Sequence, residues 1–143
     1  MLSLNEISDR LEINDVLIAY CDAIDNGSID ELDNIFVPDA LIDFSNFGGP
    51  KGDVKLIKAF LKENLLSLPK LHMITNVSIK LAGDQATSRC VCLNPQGFPA
   101  KDQPYEIAFF GLWYDDVLVR TDQGWRIKQR TSIPNFTHNL PKT

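Results

Sequence analysis

Two histidines and three cysteines are all the imidazole and thiol side chains in this chain of 143 residues. Neither C-x-x-C nor H-E-x-x-H occurs, which excludes the common zinc arrangements. Three thiols, Cys21, Cys90 and Cys92, cannot all pair, and Cys90 and Cys92, two apart, would face one side of a strand. The expectation is a reducing cytoplasm, with the thiols acting as small buried hydrophobes. A Walker loop, a G-x-G-x-x-G turn and a G-x-S-x-G elbow are also lacking, so no cofactor and no metal are expected. The acidic group Asp30, Glu31, Asp33 and Asp39 lacks the spacing of a calcium loop and reads as a solvated face. No apolar run approaches the roughly 20 residues of a membrane span. Met1 to Glu6 shows neither the basic nor the apolar region of a secretory leader. Lysine and arginine number 14 against 19 acidic residues, a net charge of −5, and they are scattered. Without a basic stripe, neither nucleic acid nor an anionic membrane is expected as a partner.

What is present suits one domain around one core: 44% hydrophobic and 23% charged residues. Ser3-Leu-Asn-Glu6 has capping-box form and opens a long amphipathic helix with Ile7, Leu11, Val16, Leu17, Tyr20, Cys21 and Ile24 on its apolar side. Asn26-Gly27 is its stop. Ser28-Ile-Asp-Glu31 repeats the capping-box pattern before a short helix with Leu32, Ile35 and Phe36 inward, closed before Pro38. Ala40 to Phe44 reads as a short strand and Asn46 to Gly52 as a loop. Asp53 caps a third helix, carrying Leu56, Ile57, Phe60, Leu61 and Leu65 and stopped by Pro69.

The second half alternates as strands do. From Leu71 to Leu81, Met73, Thr75, Val77 and Ile79 share one face and His72, Ile74, Asn76 and Ser78 the other. Gly83-Asp84 turns into a strand from Gln85 to Leu93. A loop from Asn94 to Pro104 follows, then a long strand from Tyr105 to Arg120. A turn at Gly124 leads into the last strand, Trp125 to Thr131. Residues 1–133 form a single domain in this reading, and 134–143 a loose polar tail. Helices first and meandering strands after give an α+β domain, with a pocket between the long helix and a curved sheet.

Few residues could carry chemistry. Asp25 either caps the end of the first helix or fixes and polarises a histidine. His72 is either a satisfied, half-buried side chain or a general base that titrates near neutrality. Tyr20 is either a core tyrosine or a donor to a substrate oxygen that gains negative charge. Tyr20 and Asp25 stand five apart, about 140° around an ideal helix, so they converge only if the helix ends or distorts near Ile24. Asn76 either faces water or donates to substrate. Arg126, Lys128 and Arg130 alternate on one strand face, either exposed or with one arginine turned inward toward an oxygen or carboxylate. Phe109, Phe110, Trp113, Tyr114 and Trp125 belong to core or interface, and some shape an apolar ligand pocket.

The run Tyr20-x4-Asp25-x4-Asp30-x-Leu32-x3-Phe36-x2-Asp39-Ala40 resembles the opening of SnoaL-like proteins in the NTF2-like superfamily. So do His72-x3-Asn76, Gly83-Asp84-x-Ala86, Gly111-x2-Tyr114-x-Asp116-x3-Arg120 and Gly124-Trp125-Arg126-Ile127. The resemblance spans about Leu4 to Arg130. It implies a cone-shaped α+β barrel, with N-terminal helices on a strongly curved mixed or antiparallel sheet, and a homodimer through the outer sheet face. It also implies a small apolar ligand. Scytalone dehydratase and bile-acid 7α-dehydratase belong to the superfamily, and their Tyr, Asp and His correspond to Tyr20, Asp25 and His72. The implied activity is a cofactor-independent lyase or isomerase, dehydratase-like, on a steroid-, polyketide- or terpenoid-like compound. Asn76, Phe44, Phe110 and Arg130 would contact substrate. The second histidine of scytalone dehydratase has no counterpart in Glu106 to Gly111, so the single-histidine bile-acid enzyme is the nearer pattern. The superfamily also contains non-catalytic binding and accessory subunits, which is the alternative.

Overall fold

The structure is a computed structural model and describes residues 1–141. Helix α1 (Leu4–Asp25) begins as its capping box requires: Ser3 accepts from the Glu6 amide, and the Glu6 carboxylate takes the Ser3 amide. It ends at Asn26, with Gly27 at a φ of +74°, a left-handed conformation that suits glycine. The second capping box does not form. Ser28 makes no side-chain cap, and Ile29–Glu31 is one turn of 3-10 helix leading into α2 (Leu32–Ile35). Phe36 and Pro38, expected in or just after that helix, instead open strand β1 (Phe36–Asp43). Pro38 is tolerated there because β1 pairs with its neighbour only at Phe36 and from Leu41 onward. After β2 (Lys51–Gly52), Asp53 caps α3 (Val54–Asn64) by accepting from the Leu56 amide.

Strands β3 (Met73–Ala82), β4 (Gln85–Phe98), β5 (Glu106–Thr121) and β6 (Gly124–His138) complete one sheet of order β2-β1-β6-β5-β4-β3. All neighbours are antiparallel except β1 and β6, so the sheet is mixed and left open, with β2 and β3 at its edges. The loop expected from Asn94 is shorter, because β4 continues through Pro95 to Phe98. The expected loose tail is corrected as well. Pro134 to His138 continue β6 alongside β5, and Phe136 lies over Gly111 where a Cβ would collide with its ring. The final two residues of that tail, 142 and 143, fall outside the described residues.

Besides the irregular pairing of β1 with β6 between Phe36 and Leu41, three bulges bend the sheet and redirect side chains. In β3 the register slips between Thr75 and Ser78, with Asn76 at a φ of +53°. Ile74 therefore points inward together with Val77, Ile79 and Leu81, and strict alternation fails. In β6 the register slips beside Lys128, so Trp125 and Ile127 face the core and Arg130 and Ser132 do too. The basic face expected from alternation does not exist, because Lys128 is exposed and Arg130 is buried. A third slip at Asn135 opposes Gly111 and Leu112.

The core forms where α1 lies across this inner face. Ile13, Leu17, Tyr20 and Ile24 meet Cys90, Cys92, Leu112, Tyr114, Leu118 and Ile127. Burial pushes the thiols of Cys21 and Cys92 up to about 12 and that of Cys90 to about 11, so all three stay protonated. Ile7 and Leu11, expected inward, are exposed.

At the start of α1, Asp9 accepts from Arg120 at 2.7 Å through both of its oxygens, and from the buried Trp125 indole at 3.1 Å. Arg120 in turn bonds Asp84, tying α1 to the β3–β4 turn. These donors, Arg120 foremost, hold the Asp9 carboxyl below the usual carboxylate range. A depressed folded-state pKa gives stability that is present above the unfolded value and lost as pH falls through the folded one. Asp9→Asn is therefore expected to flatten the acid limb of a urea-unfolding series below about pH 4 relative to the native chain. Parallel acid limbs would refute this coupling.

Candidate active site

His72 stands just before β3, and its segment is fixed from both sides. On the sheet side, the Leu71 amide donates to the Pro95 carbonyl at 3.1 Å. The matching bond back to the Leu71 carbonyl needs an amide that Pro95 lacks. Asn94 supplies it, its side-chain Nδ2 donating to that carbonyl at 2.7 Å. Two residue pairs further, the Gly97 amide donates to the Pro69 carbonyl at 2.7 Å. A Cβ on Gly97 would lie 2.6 Å from the Pro69 ring, so glycine permits this approach.

On the helix side, Asp25 holds His72 twice. Its Oδ2 accepts from the His72 backbone amide at 2.7 Å, and its Oδ1 meets Nδ1 at 2.6 Å. The two side chains are 9% and 14% exposed. Asp25 is the last residue of α1, so the helix ends where the two residues must converge. His72 lies between the directions in which Tyr20 and Asp25 project. Tyr20 reaches it edge-on from the core, with ring centroids 6.2 Å apart and planes at 81°.

Beneath Tyr20 lies a buried charge. The Arg130 guanidinium is stacked between the Tyr20 ring at 4.1 Å and the Tyr114 ring at 4.2 Å. Its Nε and Nη2 each donate to Asp116 at 2.8 Å, and Arg130 is 1% exposed. Nη1 is buried without a partner among the described residues. Burial works against the guanidinium charge. The Asp116 carboxylate more than offsets this, so the Arg130 pKa rises well above its ordinary value. Burial also raises the Tyr20 hydroxyl to about 12, against the opposing pull of Arg130, so Tyr20 is a neutral donor.

The structure thus brings Tyr20, Asp25 and His72 together, with Arg130 behind Tyr20 and committed to Asp116. Asn76 does not join them. It sits exposed in the β3 bulge, where Thr75 donates to its Oδ1. Phe110 faces inward on β5 opposite Asn94 and packs with Phe47 at 5.8 Å and Phe98 at 6.1 Å. Phe44, at the end of β1, is half-buried against the core. Asn94 and Asp116 are the residues that sequence reasoning missed. For Asn94 a signal existed: an amide side chain beside a proline in a strand is placed to replace the missing backbone donor.

Two concavities lie elsewhere. One of about 780 Å³ runs between α1 and the 3-10 turn, and one of about 620 Å³ lies on the sheet around Arg89, Asp115 and Thr131. Neither is lined by Tyr20, Asp25 or His72.

A family model described as SnoaL-like domain matches residues 5–131. An uncharacterized protein of Mycobacterium tuberculosis, Rv2910c, is 46% identical over 137 residues, which cover 95% of this chain and 92% of that protein. The Mycobacterium bovis protein Mb2934c matches to the same extent. Among solved structures, the Kfla4162 protein of Kribbella flavida superposes with a TM-score of 0.84 at 24% identity, covering 92% of this chain and 94% of that one. A hexachlorocyclohexane dehydrochlorinase, LinA type 2, gives 0.82 at 17% identity, covering 98% and 94%. A candidate scytalone dehydratase of Novosphingobium aromaticivorans gives 0.79 at 20% identity, covering 96% and 91%. These structural likenesses show a common fold.

Proposed function

The chain belongs to the SnoaL-like domain family, and on that premise we propose that it is a cofactor-independent lyase or isomerase with His72 as its general base. The observation that carries the reading is the double hold of Asp25 on His72. An ionised Asp25 can only accept, so Nδ1 carries the proton and the Nε2 lone pair is left free. Nε2 would remove a proton α to a carbonyl, and Asp25 would stabilise the imidazolium that results. The neutral Tyr20 hydroxyl would donate to the enolate oxygen, with Arg130 acting through the Tyr20 ring rather than gripping the substrate itself. The imidazolium could then protonate a departing β-hydroxyl, which completes a dehydration. Among the three site side chains only Asp25 carries a fixed charge, and Phe44 and Phe110 supply apolar surface nearby. This suits a small, largely apolar hydroxy-ketone of steroid, polyketide or terpenoid type.

The alternative is a non-catalytic ligand-binding or accessory subunit. The packing of Phe47 and Phe98 on Phe110 favours the accessory role, because the protein's own rings already take up the apolar surface of Phe110. A screen of hydroxy-ketones for dehydration or isomerisation separates the two. The native chain should turn over at least one compound, and His72→Ala should abolish that turnover while keeping the native circular dichroism and melting temperature. Equal turnover by the variant would eliminate His72 as the base.

A further inference from the structure

We propose that the exposed side of α1 is a self-association surface, on which a second copy of this chain packs its own α1 in parallel. Leu4, Ile7, Leu11, Asn14 and Ile18 follow one another at intervals of three, four, three and four residues. That is the spacing of a two-helix seam, a stripe of about 21 Å along the helix. The stripe is not part of the core. Leu4 is 84% exposed, Ile7 42%, Leu11 62% and Ile18 42%. The next position in the pattern, Cys21, is buried, so the seam ends at Ile18. Four large apolar side chains in one exposed row of a helix otherwise built to cover the sheet mark an interaction surface rather than scattered surface residues.

Three features identify the occupant as another copy in parallel. First, Asn14 interrupts the apolar row. In a parallel pair about a two-fold axis it faces the partner's Asn14, and each amide can donate to and accept from the other. An antiparallel pair would set Asn14 against Leu11 and leave the amide unpaired. Second, the flanks are complementary in charge. In the parallel register Arg10 of one helix stands beside Asp15 of the other, five positions on, where such seams carry their ion pairs. Arg10 has a donor to spare, since Nη1 bonds the Ile79 carbonyl while Nη2 makes no hydrogen bond among the described residues. Asp15 makes no ion pair among the described residues. Third, an anionic lipid surface is unsuited. α1 carries Glu6, Asp9, Glu12, Asp15, Asp22 and Asp25 against Arg10 as its sole basic residue. The surface is separate from the outer sheet face, so the inference stands whether or not that face also pairs.

The test is the mass of the full-length chain in solution and the proximity of Asn14 to its own copy. Leu11→Glu sets two carboxylates against each other in the seam. By sedimentation velocity, the native chain should have twice the mass of this variant at tens of micromolar, with association weakened at least tenfold. The gentler Leu11→Ser should shift mass in the same direction. Asn14→Cys should form an interchain disulfide under mild oxidation, seen on a non-reducing gel. Equal masses for the native chain and both Leu11 variants would overturn the inference. So would an Asn14→Cys chain that stays unlinked, or flotation of the native chain with phosphatidylcholine vesicles that Leu11→Glu abolishes. Cross-linking is read from Asn14→Cys alone, so it decides the matter even if a Leu11 variant folds poorly.

Discussion

Asp116→Ala is expected to lower the unfolding free energy by about 3–5 kcal/mol, the usual cost of stranding a buried charge. Asp116 is fully buried and is the acceptor for both Nε and Nη2 of Arg130. Without it the guanidinium is left among Tyr20, Tyr114 and three thiols, none of which can neutralise it at neutral pH. The pair cannot be rescued by solvent, because Arg130 is among the most deeply enclosed side chains in the protein. Set against the roughly 5–15 kcal/mol of an ordinary domain, the loss is about a fifth of total stability or more. Chemical denaturation should show the midpoint falling with the slope unchanged. The double change Asp116→Leu with Arg130→Met should recover most of the loss, since apolar replacement of a whole buried pair is often neutral. If Asp116→Ala unfolds at the native midpoint, the pair does not carry the stability assigned to it.

Asp25→Asn is the second large effect, and it should appear in rate rather than stability. Turnover is expected to fall by about 10²–10⁴-fold, the range over which a positioned acid–base group contributes. Asparagine keeps an oxygen for the His72 backbone amide, so the segment should stay anchored and the melting temperature nearly unchanged. The amide nitrogen then meets Nδ1 and donates to it. The ring must carry its proton on Nε2 instead, and the free lone pair needed for proton abstraction is gone. The measurement is kcat on whichever hydroxy-ketone the native chain accepts. Undiminished kcat would mean that Asp25 holds the chain in place and nothing more.

Much of this arrangement could be read from local chemistry. Ser3 with Glu6, and Asn26 with Gly27, mark both ends of α1, and Asp53 marks the start of α3. These are contacts within one turn, decided by residues a few positions apart. What could not be read depends on pairing between distant segments. The bulges at Asn76 and Lys128 each insert one residue into a ladder, and everything beyond changes face. That is why Asn76 leaves the site and why Arg130 enters the core while Lys128 remains outside. α1 posed a different difficulty. Leucine and isoleucine lie on two of its sides, and only the packed sheet decides that Ile13 and Leu17 go inward while Ile7 and Leu11 stay out. Tyr20, Asp25 and His72 were legible as candidates, but not how they meet, because that depends on the anchoring of Leu71 by Asn94 and Pro95.

The parallel pairing of β1 with β6 has a consequence during synthesis. β1 presents Phe36, Val37, Ala40 and Ile42 for burial, yet its partner residues, from Ile127 to Thr131, are made roughly 90 residues later. At about 5–20 residues per second, β1 would wait about 5–18 s after emerging before its long neighbour exists. In that interval β2 pairs with one edge of β1, and the other edge, which β6 will take, stays open. A ribosome stalled before Ile127 would hold out an unfinished sheet with an adhesive rim, and the nascent chain is most in need of a chaperone there.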